Sequence, residues 1–248
     1  MKKQIPVRQR PRQILLVVSL LLFPVTMNYL SPYVVIDGAI QGILAASPIV
    51  FGIQFLSALV LGRAYCGWVC PAGKLQDLCV DFNNQPVNGR KIDWVKWAIW
   101  APWLGTILFF LVKAGTSLRV NPLHLTETGV SVDSPLKFVN FYAVALIFLL
   151  IAGLAGRRAA CHSICWMAPF MILGKKLGDA LRIPRLRLRA EEEKCTNCMT
   201  CTNHCPMSLP VNEMVKVSDM ENTECILCGN CVDGCTKKAI QYRFGQAK

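Results

Sequence analysis

Histidine and acidic residues are scarce in this 248-residue chain: three His and 15 Asp plus Glu stand against 27 Lys plus Arg, a formal net charge of +12. A pair of b-type haems needs four axial ligands, and none of His124, His162 and His204 falls inside an apolar run, so the sequence argues against intramembrane haem. Lys96 is the one Asp, Glu, Lys or Arg within the apolar runs. That disfavours a proton pump, because proton relays need ionisable groups at depth. No twin-Arg pair and no small-residue cleavage site accompany Met1 to Gln13, which carries Lys2, Lys3, Arg8, Arg10 and Arg12. The segment reads as an uncleaved anchor that starts in the cytoplasm. The excess of basic charge flanks apolar runs and forms no single patch, which disfavours nucleic acid as a partner.

Apolar residues are abundant and unevenly placed. Four transmembrane helices are expected at about 14–30, 39–61, 94–112 and 138–154, the first kinked at Pro24 and separated from the second by a turn over 31–38. Five Lys/Arg precede the first span, four lie in 62–93 and four in 157–176, against three (Lys113, Arg119 and Lys137) on the other side. The positive-inside rule then places both termini in the cytoplasm. Residues 168–181 are apolar but interrupted by Lys175, Lys176 and Asp179, as in an interfacial helix. Arg185 to Arg189 alternates basic and apolar residues. The period of two fits a strand pairing with 239–244, or equally a basic tether on anionic lipid.

Cysteine is the residue in excess, with 13 in the chain. Eight form two runs of one spacing: Cys195, Cys198, Cys201 and Cys205, then Cys225, Cys228, Cys231 and Cys235. Three thiolates at this short step wrap one face of a cuboidal [4Fe-4S] cluster, and the fourth reaches across to the other cluster. The expected ligand sets are therefore Cys195, Cys198, Cys201 and Cys235 for the first, and Cys225, Cys228, Cys231 and Cys205 for the second. Zinc favours paired CxxC units with a longer insert, and disulfides need an oxidising compartment, so neither fits as well. Pro206 follows the first run, whereas Thr236 follows the second.

The other five cysteines sit upstream. Gly62-Arg63-Ala64-Tyr65-Cys66-Gly67-Trp68-Val69-Cys70-Pro71 follows the second expected span, and Gly156-Arg157-Arg158-Ala159-Ala160-Cys161-His162-Ser163-Ile164-Cys165 follows the fourth. Each unit is a helix pair, then Gly-Arg, then CxxxC, which points to an internal duplication. Thiols at i and i+4 of one helical turn point the same way, so each pair is expected to act as a two-toothed ligand. Three readings of Cys66, Cys70, Cys161 and Cys165 stay open: a structural or thiol role, a third [4Fe-4S] cluster, or a regulatory disulfide or other metal. Cys79 reads as buried filler. Trp100 and Trp103, beside Pro102, read either as walls of a quinone pocket or as lipid-facing packing.

The whole arrangement resembles the NapH-type membrane quinol dehydrogenase subunits that accompany periplasmic nitrate reductases, with a related form in methylamine utilisation. The resemblance covers nearly the whole chain. It implies a membrane α-helical unit of four internally duplicated transmembrane helices (1–183) joined to a small α+β two-cluster ferredoxin domain (184–248). It also implies oxidation of quinol, with electrons passed through iron-sulfur centres to other redox subunits, an iron-sulfur or c-type cytochrome partner, at the bacterial inner membrane. One departure is that Cys165 is followed by Trp166, where the family has proline. A different function class, a redox-active assembly or regulatory ferredoxin working through the CxxxC thiols, remains the alternative.

Overall fold

The computed structural model describes residues 6–115 and 119–246; Lys2 and Lys3 lie outside the described residues. Proline and glycine divide the first apolar stretches. Helix α1 (Gln9–Leu21) ends before the short α2 (Phe23–Thr26), whose first turn holds Pro24, and a 3-10 turn follows at Asn28–Leu30. Pro32 then opens α3 (Pro32–Gln41), which stops where Gly42 takes a left-handed φ of 67°. Strand β1 (Ile43–Leu44) pairs in parallel with β2 (Arg119–Val120), and α4 (Ala46–Leu61) follows.

Three expectations are corrected here. The span expected at 14–30 is broken into α1, α2 and a turn, and the span expected at 39–61 contains the end of α3, strand β1 and only then a 16-residue helix. The turn expected over 31–38 is itself helical. Apolar composition runs through the Gly42 break, so hydropathy alone reads across it.

Helices α7 (Gly89–Ala114) and α8 (Pro135–Ala155) are long and apolar enough to cross a membrane. Their outer faces leave Leu108, Phe109, Val112, Leu146, Ile147 and Leu150 exposed, a belt that lipid would cover. After α4 the chain turns at Gly62 (φ 55°) into α5 (Ala64–Trp68) and then α6 (Pro71–Asp77); after α8 it turns at Gly156 (φ 111°) into α9 (Ala159–Ser163) and then α10 (Met167–Ala180). Only glycine takes either turn without a Cβ clash. The two halves thus repeat one plan: long helix, glycine turn, five-residue helix, second helix.

Helix α10, expected at the interface, packs along α4 so closely that a Cβ on Gly174 would stand 2.4 Å from the Phe55 carbonyl oxygen, and one on Gly178 2.8 Å from that of Leu59. Small residues four apart let two backbones approach, which a hydropathy reading does not detect. Trp100 and Trp103 turn inward onto Phe170, at 5.2 and 5.9 Å between ring centroids, and Trp103 also meets Phe51. They join an aromatic cluster in which Trp100 is buried and Trp103 half-buried.

At the end of the chain, β3 (Arg185–Ala190) pairs antiparallel with β4 (Ile240–Gly245), from Arg185 opposite Gly245 to Ala190 opposite Ile240. The strand reading of the basic alternation holds, and it closes the domain by bringing its ends together. Between the strands lie α11 (Thr200–Asn203), α12 (Val211–Lys216) and α13 (Asn230–Asp233).

Candidate metal centre

The backbone of the ferredoxin domain repeats itself. Left-handed φ values occur at Asn197, Met199 and Ser208 and again, 30 residues later in each case, at Leu227, Gly229 and Lys238. Alternating right- and left-handed residues turn successive N–H groups into a concavity that receives an anionic cluster. Cys195, Cys198, Cys201 and Cys235 line one cavity with Val215 and Ile240. Cys205, Cys225, Cys228 and Cys231 line a second with Leu188, Met207 and Ile226. Each cavity thus brings three cysteines of one run together with the fourth of the other, the grouping that two crossed cuboidal clusters would use.

The two cavities differ in exposure. Cys198 is exposed and its companions are half-buried, whereas Cys205, Cys228 and Cys231 are buried. A hydrogen bond from the Thr200 hydroxyl lowers the Cys198 thiol, while burial, reinforced by Cys228, pushes Cys205 up to about 12. The exposed set faces solvent; the buried set faces the membrane unit.

That second contact is built from groups that the sequence reading passed over. A Cβ on Gly67 would come within 2.2 Å of the Ile226 carbonyl oxygen, so α5 lies directly against the cysteine loop. The Trp68 indole donates to the Leu227 carbonyl at 3.0 Å, and the Gln9 amide to that of Cys228 at 3.1 Å. Arg157 donates to the carbonyls of Asn203 (2.7 Å) and Cys205 (3.1 Å). Arg12, buried, bridges the Gly67 carbonyl and the Asn230 side chain at 2.7 and 3.2 Å. Such contacts depend on a tertiary partner, and only the density of Arg beside the cysteines hinted at them.

The upstream cysteines converge. Burial and the neighbouring Cys66, Cys161 and Cys165 sulfurs push the Cys70 thiol well up, and burial with Cys161 and Cys66 raises Cys165 to about 12. All four are buried. The expected geometry needs one correction: Cys66 and Cys70 do not share a helical turn. Cys66 is the third residue of α5, while Cys70 adopts an extended conformation (ψ 117°) before α6; Cys161 and Cys165 split in the same way between α9 and the approach to α10. Gln76 ties the halves together, its amide donating to the Cys161 sulfur at 3.1 Å and its carbonyl accepting from the Ala160 N–H at 3.0 Å.

Tetrahedral zinc with bonds of 2.3 Å needs sulfurs about 3.8 Å apart, and among the described residues no three thiols come within 4.8 Å of one another. Two buried arginines neighbour the thiols, as suits an anionic cluster: Arg63, paired with Glu224 at 2.6 Å, and Arg158, which grips Asp77 through two 2.7 Å bonds and donates to the Cys66 carbonyl at 3.1 Å. Although burial opposes it, the charges of Arg63 and Lys96 draw the Glu224 carboxyl down to about 2. The position of the four thiols is telling. Cys66 and Cys161 belong to the apolar core shared with Cys205, Cys228 and Cys231, and Cys70 and Cys165 belong to the membrane-side core of Leu30, Phe51, Ile107 and Phe148.

His162, between the second pair, bonds Asp93 through Nδ1 at 2.6 Å, and its buried Nε2 has no partner. Asp93, His162 and Glu224 approach one another, but Lys96 sits among them, 2.7 Å from Glu224 and 3.2 Å from Asp93, and already supplies the cation. His204 bonds the Thr200 carbonyl in its own turn, and Cys79 lies against the Leu149 carbonyl, away from both thiol groups. Across the molecule, His124 pairs with Asp37 at 2.6 Å.

Two apolar spaces flank the four thiols. One, of about 490 Å³, is lined by Pro71 and Ala72 beside Cys70 and by Ile164 and Trp166 beside Cys165. The other, a groove of about 840 Å³, runs along α4 past Tyr65 and Val69.

Comparison with known families agrees with these two thiol regions. The profile described as a 4Fe-4S dicluster domain matches residues 194–240, and that described as a 4Fe-4S binding domain matches residues 43–84 and again 139–184. The ferredoxin-type protein NapH of Escherichia coli is 26% identical over 235 residues, covering 88% of this chain and 76% of NapH. The homologues of this chain are NapH-type ferredoxin proteins, a polyferredoxin group. The chain is also 27% identical over 207 residues to the methylamine utilization ferredoxin-type protein MauN of Paracoccus denitrificans, covering 81% of this chain and 68% of MauN. It is 26% identical over 214 residues to Escherichia coli YccM, named only provisionally for electron transport; the match spans 82% of this chain but 57% of that longer protein. No solved structure matches the chain. It is an iron-sulfur electron-transfer protein.

Proposed function

We propose that the protein passes electrons between the membrane quinone pool and a redox partner through three [4Fe-4S] sites in series. The observation that carries this reading is the convergence of Cys66, Cys70, Cys161 and Cys165 between the ferredoxin core and the membrane-side core. Cys195, Cys198, Cys201 and Cys235 would hold the outer cluster, and Cys205, Cys225, Cys228 and Cys231 the inner one. The CxxxC thiols would hold the third. Each cluster, when bound, takes up or gives up one electron at a time. The chain's own residues set the order. Gly67, Trp68 and Arg157 clamp the inner set against the membrane unit, and the exposed Cys198 marks the exit to the partner.

Hydroquinone oxidation releases two electrons and two protons. The electrons go singly along this route to the partner, and the protons go to water. In this reading four segments span the bilayer, α1 with α2, α4 assisted by α10, α7, and α8, with the ferredoxin domain (184–248) and both termini in the cytoplasm. Tight docking of the ferredoxin domain onto the α5 and α9 turns keeps all the thiol sites at one membrane face. The test is anaerobic addition of a reduced short-tail hydroquinone to the protein in nanodiscs. Bleaching of the visible iron-sulfur absorption supports the reading, and clusters that stay oxidised with both benzo- and naphthohydroquinones overturn it.

A further inference from the structure

Of the two apolar spaces beside the four thiols, the groove along α4 is the one lined, among the described residues, by a buried side chain with an unpaired polar atom. Gln54 is 3% exposed and lines the groove; its amide nitrogen meets the Met167 sulfur at 3.6 Å, while its carbonyl oxygen has no partner. An unpaired buried carbonyl is costly and marks a place for a donor. The Tyr65 hydroxyl lies beside the same side chain, and Tyr65 immediately precedes Cys66. The walls are apolar and open outward: Ile53 and Leu61 are exposed on the face of α4 that lipid would cover. The groove therefore pairs a greasy entrance with a polar inner end next to a thiol ligand.

The smaller cavity lacks this. Its Trp166 indole already donates to the Leu30 carbonyl at 2.8 Å, and the Asn28 amide donates to the Leu125 carbonyl at 3.3 Å. Among the described residues its lining has no buried polar atom without a partner.

We infer that the α4 groove is the head-group site for a hydroquinone, with Gln54 accepting a hydrogen bond from one ring hydroxyl, Tyr65 positioned to bond the same head group, and the isoprenoid tail leaving past Ile53 into lipid. This rests on the quinol reading above and assigns it a place. A ring hydroxyl donates to the Gln54 carbonyl oxygen, which the quinone formed after oxidation cannot do. Two electrons leave toward the adjacent thiol site, and the two hydroxyl protons leave to water through the wide mouth of the groove beside Arg8.

The experiment uses the full-length holoprotein in quinone-free nanodiscs, with decyl-tailed azidoquinones of the benzo and naphtho series for photolabelling and the parent quinols for equilibrium binding. Iron content verifies each variant. Labelling within 50–69 is expected, with quinol affinity reduced on the order of tenfold by Gln54→Leu. Ile53→Trp, on an exposed face and so safe for folding, is expected to abolish labelling by filling the entrance. Ile147→Trp, in the smaller cavity, is expected to leave both unchanged. Labels on 140–148 or 164–167, or quinol affinity unmoved by Gln54→Leu and Ile53→Trp while hydroquinone still bleaches the clusters, would overturn the site but not the quinol reading. Absence of both binding and bleaching would remove the two together.

Discussion

The two CxxxC halves keep the same backbone plan and differ in what surrounds it. In the first, Arg63 precedes α5 and pairs outward with Glu224 of the ferredoxin domain; in the second, Arg158 precedes α9 and pairs inward with Asp77 of the first half. The residue after the first cysteine is Gly67 in one, pressed on Ile226, and His162 in the other, held by Asp93. The second half has one additional residue between glycine and cysteine, and this is what lets Arg157 reach the carbonyls of Asn203 and Cys205. Its second helix is twice as long, 14 residues against seven, and carries Lys175 to the Asn222 carbonyl at 2.9 Å. Thiol placement is thus common to both halves and both grip the ferredoxin domain, while Arg63 directs its ion pair to that domain and Arg158 directs its own to the other half.

The largest effect should come from the inward arginine. Arg158→Ala leaves Asp77 uncompensated in a site where Arg158 is 1% exposed, so a loss of about 3–5 kcal/mol is expected. Arg63→Ala should cost less, because Lys96 still holds Glu224. Thermal unfolding in detergent ranks the two, and equal losses would mean that the halves are not divided in this way. Next, Gly67→His copies the second half into the first and forces a side chain into the space of the Ile226 carbonyl. Overpacking on the order of 3 kcal/mol should loosen the ferredoxin domain, read as faster amide exchange over 225–235.

A smaller effect tests the tether from α10. Lys175, Arg185 and Arg187 outweigh burial and bring the Glu221 carboxyl down to about 2 from an ordinary value of 4.5. A depressed value means that this contribution is complete above pH 4.5 and fades as pH falls toward 2. Solvent reaches the pair, so Glu221→Gln should cost no more than about 1 kcal/mol at neutral pH, and the gap from the wild type should close in acid. A gap independent of pH would sink the assignment. Smallest of all, Cys79→Ala should change stability within about 1 kcal/mol and leave the iron content alone.

Parts of this organisation were legible in the sequence because a local pattern encodes them. Cysteine spacing fixes which sulfurs can meet, and the alternation of Arg185 to Arg189 fits the β3 strand, though it fits a basic tether on lipid equally well. Helices α7 and α8 announce themselves by length and hydropathy. The break at Gly42 was hidden by the apolar residues around it, and the close packing of α10 on α4 depends on Gly174 and Gly178 meeting a partner helix. Gln76, Arg12 and Gln54 are ordinary polar residues until the fold brings a thiol, a carbonyl or an apolar groove against them. The division of each CxxxC between two elements was missed because Pro71 and Met167 each begin a new helix, which the four-residue spacing alone does not reveal.

The central claim is that the four upstream thiols hold a cluster of their own. It is tested most directly by an anaerobic iron and sulfide count, with EPR, on the wild type and on a variant with Cys66, Cys70, Cys161 and Cys165 all changed to Ser. The account predicts about twelve irons falling to about eight, with loss of one reduced signal and of the spin coupling it makes to its neighbour. About eight irons in both proteins, with identical spectra, would contradict it.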